Sequence, residues 1–284
     1  MPYLIITAFA LGLIIKQFYH HHSRLRIIIN TYIMYIGLPL IILIALMGSS
    51  QIDFGKITLI SILFNICSTI TFFVISSRMN IRNKKKASLF LCTAFGNIAY
   101  LGIPYSLLFF GNIGASISAI FAIVTAFFHF TLGVVLSSSF HDKKKMHLKE
   151  MINPIMIGMI VALIISQTGI SIPNMIYDIA HFGTYLLLFV IGLTTTLRLP
   201  TKDYIAGITG KIIISPIIMI LLLFLTGNVN NGYYSFIFLA MMPPAFSNIV
   251  LSINYGFDKE YTSKLISMTT ILMIIVFTAA SFLI

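Results

Sequence analysis

Long apolar runs separated by short polar ones pattern the chain from end to end. Ten runs stand out, at roughly 2–18, 27–48, 57–76, 87–110, 113–137, 153–169, 174–197, 204–226, 234–253 and 262–284. About twenty mostly apolar residues carry a helix across a bilayer, so each run is expected to be a membrane-spanning helix. The sixth is the shortest case, ended by Gln167 and Gly169. The first lacks the basic leader and small-residue cleavage site of a signal peptide and reads as a short first span. Two runs contain residues that oppose a continuous helix. The fourth holds Phe95-Gly96-Asn97-Ile98-Ala99-Tyr100-Leu101-Gly102-Ile103-Pro104, and the ninth holds Met242-Pro243-Pro244-Ala245-Phe246-Ser247-Asn248. Proline removes a backbone donor and clashes with the preceding turn. A break at membrane depth survives where the freed backbone faces protein or a polar cavity, and in secondary transporters such breaks build the substrate site. A single break also reads as a kink without a binding role; two breaks of the same kind favour a site.

The polar connections orient the chain. Of 18 basic residues, 16 lie in alternate connections: Lys16, Arg24 and Arg26; Arg78, Arg82, Lys84, Lys85 and Lys86; Lys143, Lys144, Lys145 and Lys149; Arg198 and Lys202; Lys259 and Lys264. The opposite connections hold only Lys56, and Lys211 lies inside the eighth run. The positive-inside rule makes the alternate connections cytoplasmic and both termini extracytoplasmic. The connection from His141 to Glu150 is the longest polar one. It divides the chain into a first five-helix repeat (1–140), a cytoplasmic linker (141–152) and a second five-helix repeat (153–284). An odd number of spans per half inverts one half relative to the other, and the two breaks then fall in the fourth helix of each. Corresponding interrupted helices are the best sequence pointer to a midplane site. The halves share no convincing residue-level identity, so the repeat rests on topology.

Composition agrees with this class and excludes others. The 284 residues are 58% hydrophobic and 9% charged, where a soluble domain carries about 25% charge. The net charge of +11 sits in membrane-loop blocks and not on a nucleic-acid-binding face. Cys67 and Cys92 lie inside apolar runs and read as small buried hydrophobes. His20-His21-His22 has no spaced partner ligand and reads as solvated loop. No His-Glu-x-x-His, Gly-x-Ser-x-Gly or paired intramembrane aspartate is present, so no enzyme, metal site or cofactor is expected.

The breaks suggest a chemistry. A helix restarting at Pro104 or Pro244 would turn unpaired N–H groups and the positive end of its dipole toward the membrane centre. Two such ends attract an anion, typically a carboxylate. Asn97 and Asn248 add neutral hydrogen bonds. Lys211, about two turns into the eighth run, either draws anions inward or snorkels to the headgroups. His129, deep in the fifth run, reads as a group titrating near neutral pH or as a packing histidine. Asp178 and His181, three residues apart in the seventh run, read as an interfacial pair or as a coupling site. None of the seven acidic residues falls in runs three, four, five, eight, nine or ten, which argues against a sodium/proton antiporter, since such carriers keep a carboxylate in the path.

The motifs resemble the auxin efflux carrier family, in particular bacterial members of the malate/malonate-permease kind. Asn97 followed by Gly102-x-Pro104, with Gly111 closing the span, is similar to the family's fourth helix. Asn153-Pro154, Gly192-Leu193, Lys211 with Pro216, Pro243-Pro244, Asn248, Tyr255-Gly256 and Pro39 match further on. The resemblance implies an all-α polytopic membrane protein of ten transmembrane helices, arranged as two inverted five-helix repeats with broken crossing helices four and nine. That fold is similar to those of bile-acid symporters and sodium/proton antiporters. It also implies a homodimer in the plasma membrane, surrounded by lipid, moving a small organic anion by elevator-like alternating access. The long cytoplasmic loop that plant members carry between the halves is short here, which puts loop-based regulation in doubt. The candidate substrate-binding residues are Asn97, Ile98, Gly102, Pro104, Pro243, Pro244, Asn248, His129 and Lys211. A sodium-coupled organic-anion symporter of the bile-acid type is the alternative.

Overall fold

The computed structural model describes residues 2–19, 22–48, 52–140, 154–195, 202–227 and 233–281. The expected linker at 141–152, His20, His21 and Arg198 lie outside them. The described residues form helices: α1 (Pro2–Phe18), α2 (His22–Tyr32), α3 (Leu38–Met47), α4 (Phe54–Arg78), α5 (Asn83–Ala94), α6 (Ile103–Phe128), α7 (Val134–Ser139), α8 (Pro154–Ser166), α9 (Asn174–Thr194), α10 (Ile205–Thr209), α11 (Ser215–Leu225), α12 (Tyr234–Ala240), α13 (Ser247–Tyr255) and α14 (Lys259–Ser281). Wider π-helical turns at Ile33–Gly37, Ile98–Gly102, His129–Gly133 and Gly210–Ile214 join neighbouring helices.

Three of these turns have one cause. Pro39, Pro104 and Pro216 each stand second in the helix that follows a π-turn. The residue before each proline donates to the carbonyl five residues back, Leu38 to Ile33, Ile103 to Ile98 and Ser215 to Gly210. The extra residue in the turn relieves the clash between the proline ring and the preceding turn.

Six helical stretches among the described residues are long and apolar enough to cross a membrane: Arg24–Met47, Phe54–Arg78, Ile98–Ser139, Asn174–Thr194, Ile205–Leu225 and Lys259–Phe277. The longest of them turns at Gly111, whose φ of 64° and ψ of −157° are open essentially to glycine alone. A Cβ placed on Gly114 would lie 2.8 Å from the Ser106 carbonyl, whereas eight residues of straight helix span about 12 Å. The chain therefore doubles back at Gly111, which separates the fourth and fifth apolar runs.

Side-chain size sets the packing. A Cβ on Gly12 would meet the Phe189 carbonyl at 2.1 Å, and one on Gly192 would meet the Phe9 carbonyl at 2.2 Å. α1 and α9 thus touch backbone to backbone, the close approach that small residues allow in membranes. Lys16 closes this pair by donating to the Thr195 carbonyl at 2.8 Å. α3 packs on α8 and α9, while α4, α5, α6, α11 and α12 pack among themselves. α14 lies on α5 and α13. The two groups meet where α3 lies on α6, and Ser116 of α6 donates to the Ala45 carbonyl of α3. Asp53 caps α4 through the Lys56 N–H at 2.9 Å, and Asp258 caps α14 through the Tyr261 N–H at 2.9 Å.

Candidate functional site

Both expected breaks are present, and they meet. α5 ends at Ala94 and α12 at Ala240, and each is followed by non-helical backbone. Asn97 N–H donates to the Pro243 carbonyl at 2.7 Å, and Ala245 N–H donates to the Phe95 carbonyl at 3.1 Å. Gly96 and Pro244 form an antiparallel bridge between these bonds. Each break thus supplies part of the hydrogen bonding that the other lost, which lipid could not provide.

Helix resumes earlier than the prolines suggest in one break and later in the other. After the first it restarts at Ile98, where the Asn97 carbonyl accepts from Leu101 N–H at 3.1 Å and Gly102 N–H at 3.3 Å. Pro104 lies inside that helix. After the second it restarts at Ser247, and Pro243 and Pro244 stand in the extended stretch before it. The helix start at Ile98 leaves the first N–H groups of the turn without intrahelical acceptors, directed at the crossing.

Three polar side chains converge on this region. Asn97 is 4% exposed, and its Nδ2 has no hydrogen-bond partner. Asn248 is fully buried and held from two sides: its Nδ2 donates to the Leu91 carbonyl at 3.2 Å, and its Oδ1 lies 2.6 Å from His129 Nε2. An amide oxygen only accepts, so His129 carries its proton on Nε2 in this bond. The His129 ring is stacked between Phe95 and Phe130, with centroids 4.8 Å away on each side. Of the two readings of His129, the packed and hydrogen-bonded one describes its surroundings, and those surroundings belong to the crossing.

Lys211 does not snorkel. It is 1% exposed, and its Nζ lies 3.5 Å from the Thr93 carbonyl at the end of α5. The same Nζ is 3.1 Å from the position a Cβ on Gly96 would occupy. Four carboxylates stand away from it: Asp53 and Asp258 cap helices, Glu260 pairs with Lys264, and Asp178 is exposed on α9. His181 is exposed as well, so the Asp178–His181 pair stays apart from the crossing.

The remaining candidates sit around this centre. Ile98, at 4% exposure, is the first residue of the restarted helix. Gly102 packs closely on Leu239 of α12. Pro243 and Pro244 are buried in the extended stretch. Pro104 is buried one turn beyond Ile98 and touches neither extended segment through its backbone. Sequence reasoning missed Gly96, Thr93 and Cys92. Gly96 leaves room for the Lys211 amine, Thr93 supplies its carbonyl, and Cys92 Sγ lies 3.9 Å from Asn248 Nδ2. A separate cavity of about 390 Å³ between α4, α6 and α8 is lined by apolar side chains, Ile62, Phe127, Met156 and Ile160 among them, and offers nothing to an anion.

A family model described as membrane transport protein matches residues 1–280. The chain belongs to the membrane transport protein family. This is the family of the auxin efflux carriers, so the motif resemblance holds at that level. No curated protein matches the chain. A membrane transport protein needs a desolvated place that is polar only where its cargo is polar. At the crossing lie a buried amide N–H₂ without a partner and a buried amine.

Proposed function

We propose that the protein is a carrier for small organic anions, with carboxylates as the substrate class and the paired breaks as the binding site. One observation carries this reading: a buried amine and an unpartnered amide N–H₂ lie at the crossing, and none of Asp53, Asp178, Asp258 and Glu260 neutralises the lysine. A buried unpaired charge costs several kcal/mol, roughly, after relaxation, and a carboxylate at the crossing would remove that cost. Asn97, Asn248, Lys211, Ile98 and the extended Pro243-Pro244 segment form the site, with His129 orienting Asn248. Gly102 and Pro104 shape the helix behind it.

Around this site the reading takes ten transmembrane helices in two inverted five-helix repeats, with the fourth and ninth helices crossing. α1, α2, α3, α8 and α9 form the fixed part, and the crossing group moves past it in an elevator-like step. It further takes a homodimer in the plasma membrane, both termini extracytoplasmic, and a malate/malonate-permease-like substrate range.

The competing reading is a sodium-coupled symporter of the bile-acid type. Asn65 Oδ1 and Thr69 Oγ1 are buried without partners on α4, and such oxygens suit a hard cation. A protonated Lys211 weighs against a second cation at the crossing, since two unit charges 4 Å apart repel by about 4 kcal/mol at an effective dielectric of 20.

Uptake of radiolabelled malate, malonate, lactate and indole-3-acetate into proteoliposomes, with and without sodium, proton and voltage gradients, tests both. Saturable sodium-independent flux supports the anion carrier, and flux that requires sodium supports the symporter. Asn97→Ala is expected to impair flux at least ten-fold with normal membrane insertion; wild-type flux in this variant would remove Asn97 from the site.

A further inference from the structure

The charge of Lys211 has a consequence for how voltage acts on the cycle. Its Nζ sits against Gly96, in the strip 95–97 that pairs with residues 243–245, and against the Thr93 carbonyl at the end of α5, which leads into that strip. The amine is therefore part of the crossing and accompanies it through any displacement. Asn97 Nδ2, on the residue next to Gly96, is buried and unpartnered, and it supplies a neutral donor but no second charge. His129 is bonded to Asn248 and enclosed by two phenylalanine rings.

We propose that Lys211 is a resident counter-charge for a single carboxylate, so that the loaded crossing is electrically neutral and the empty crossing carries one positive charge. This rests on the carrier reading above and deepens it in two respects. It narrows the malate/malonate-like range named above to monoanions, because the second carboxylate of such a dianion would be desolvated without a partner. It also assigns the voltage-sensitive step to the return of the empty carrier. With the cytoplasm negative, the empty carrier is drawn to the cytoplasmic side and the loaded one feels no field. One turn then moves one negative charge outward, as net export of a monoanion requires.

The experiment compares two modes in proteoliposomes of the full chain, with potassium and valinomycin setting the voltage. Exchange uses one acid saturating on both sides, so that only loaded carriers cross; net efflux uses acid inside alone. Lactate and indole-3-acetate are the monoanionic probes and malate the dianionic one. Wild-type lactate or indole-3-acetate exchange should be unaffected by 100 mV, while net efflux should change by up to about seven-fold, the effect of half of the ~2.3 kcal/mol that one charge gains over 100 mV. Exchange of malate, if carried, should be voltage-sensitive, since its complex keeps one negative charge. Lys211→Gln should make monoanion exchange voltage-sensitive, and Lys211→Arg should leave it insensitive. Voltage-sensitive monoanion exchange in the wild type overturns the counter-charge and leaves the carrier reading standing. Absence of flux with every acid overturns both. Because the wild-type comparison of modes needs no variant, misfolding of Lys211→Gln cannot shield the proposal.

Discussion

Asn248→Ala isolates the best-defined polar contact of the crossing. The wild-type amide accepts from His129 at 2.6 Å and donates to the Leu91 carbonyl at 3.2 Å. Truncation leaves the two partners in different positions. The Leu91 carbonyl keeps a second donor, Phe95 N–H at 3.2 Å, so its loss is small. His129, 3% exposed and enclosed by Phe95 and Phe130, has no water to turn to. An orphaned buried donor costs about 1–3 kcal/mol, and this sets the expected destabilisation. His129→Phe alone should cost a similar amount by orphaning Asn248 Oδ1. Replacing both partners by apolar groups of similar shape removes the penalty, so His129→Phe with Asn248→Leu should be more stable than the summed losses of His129→Phe and Asn248→Leu made singly by at least about 1 kcal/mol. The assay is the midpoint of heat-induced aggregation in detergent, followed by size-exclusion chromatography, with proteoliposome uptake in parallel. The double variant should regain stability and stay inactive. A wild-type midpoint for Asn248→Ala, or a double variant whose losses simply add, would refute the reasoning.

Two further outcomes follow from backbone geometry. Pro104→Leu restores an N–H and should let the Ile98–Gly102 turn tighten, shifting Asn97; KM for the transported acid should rise severalfold. Pro39→Leu, after the equivalent turn at Ile33–Gly37, should leave KM unchanged, and kinetics of the two variants checks the contrast. Gly192→Ala places a methyl 2.2 Å from the Phe9 carbonyl and forces α1 from α9, at about 1–3 kcal/mol; the thermal midpoint should fall by several degrees.

The apolar runs were legible because lipid imposes a length and a composition on a spanning helix, and six helical stretches among the described residues are long and apolar enough to cross. The breaks were legible because Gly96, Asn97, Pro243 and Pro244 spoil a helix locally. Their pairing was not, since two backbone hydrogen bonds between residues about 150 apart leave no periodicity in the sequence. The same fact explains the restart points. Proline at the first helical turn is a general preference, but here the partner segment satisfies Asn97 N–H, and helix begins directly after it at Ile98. Pro104 instead widens the turn before it. Thr93 escaped notice because it acts through its carbonyl, which any residue has. Cys92 escaped because burial alone says nothing of what lies beside a thiol. Lys211 was visible as an oddity in an apolar run, but only the fold distinguishes an amine that reaches the headgroups from one enclosed at the crossing.

The two hydrogen bonds that stitch 95–97 to 243–245 act as a rivet. Prising the strips apart would leave Asn97 N–H and Ala245 N–H bare in a place without water, at about 1–3 kcal/mol each. A clam-shell that opened between the breaks would have to cut that rivet on every turnover. In the carrier proposed above, cargo held there is uncovered from outside, by walls that slide past an intact centre, and the centre travels whole with the helices packed around it.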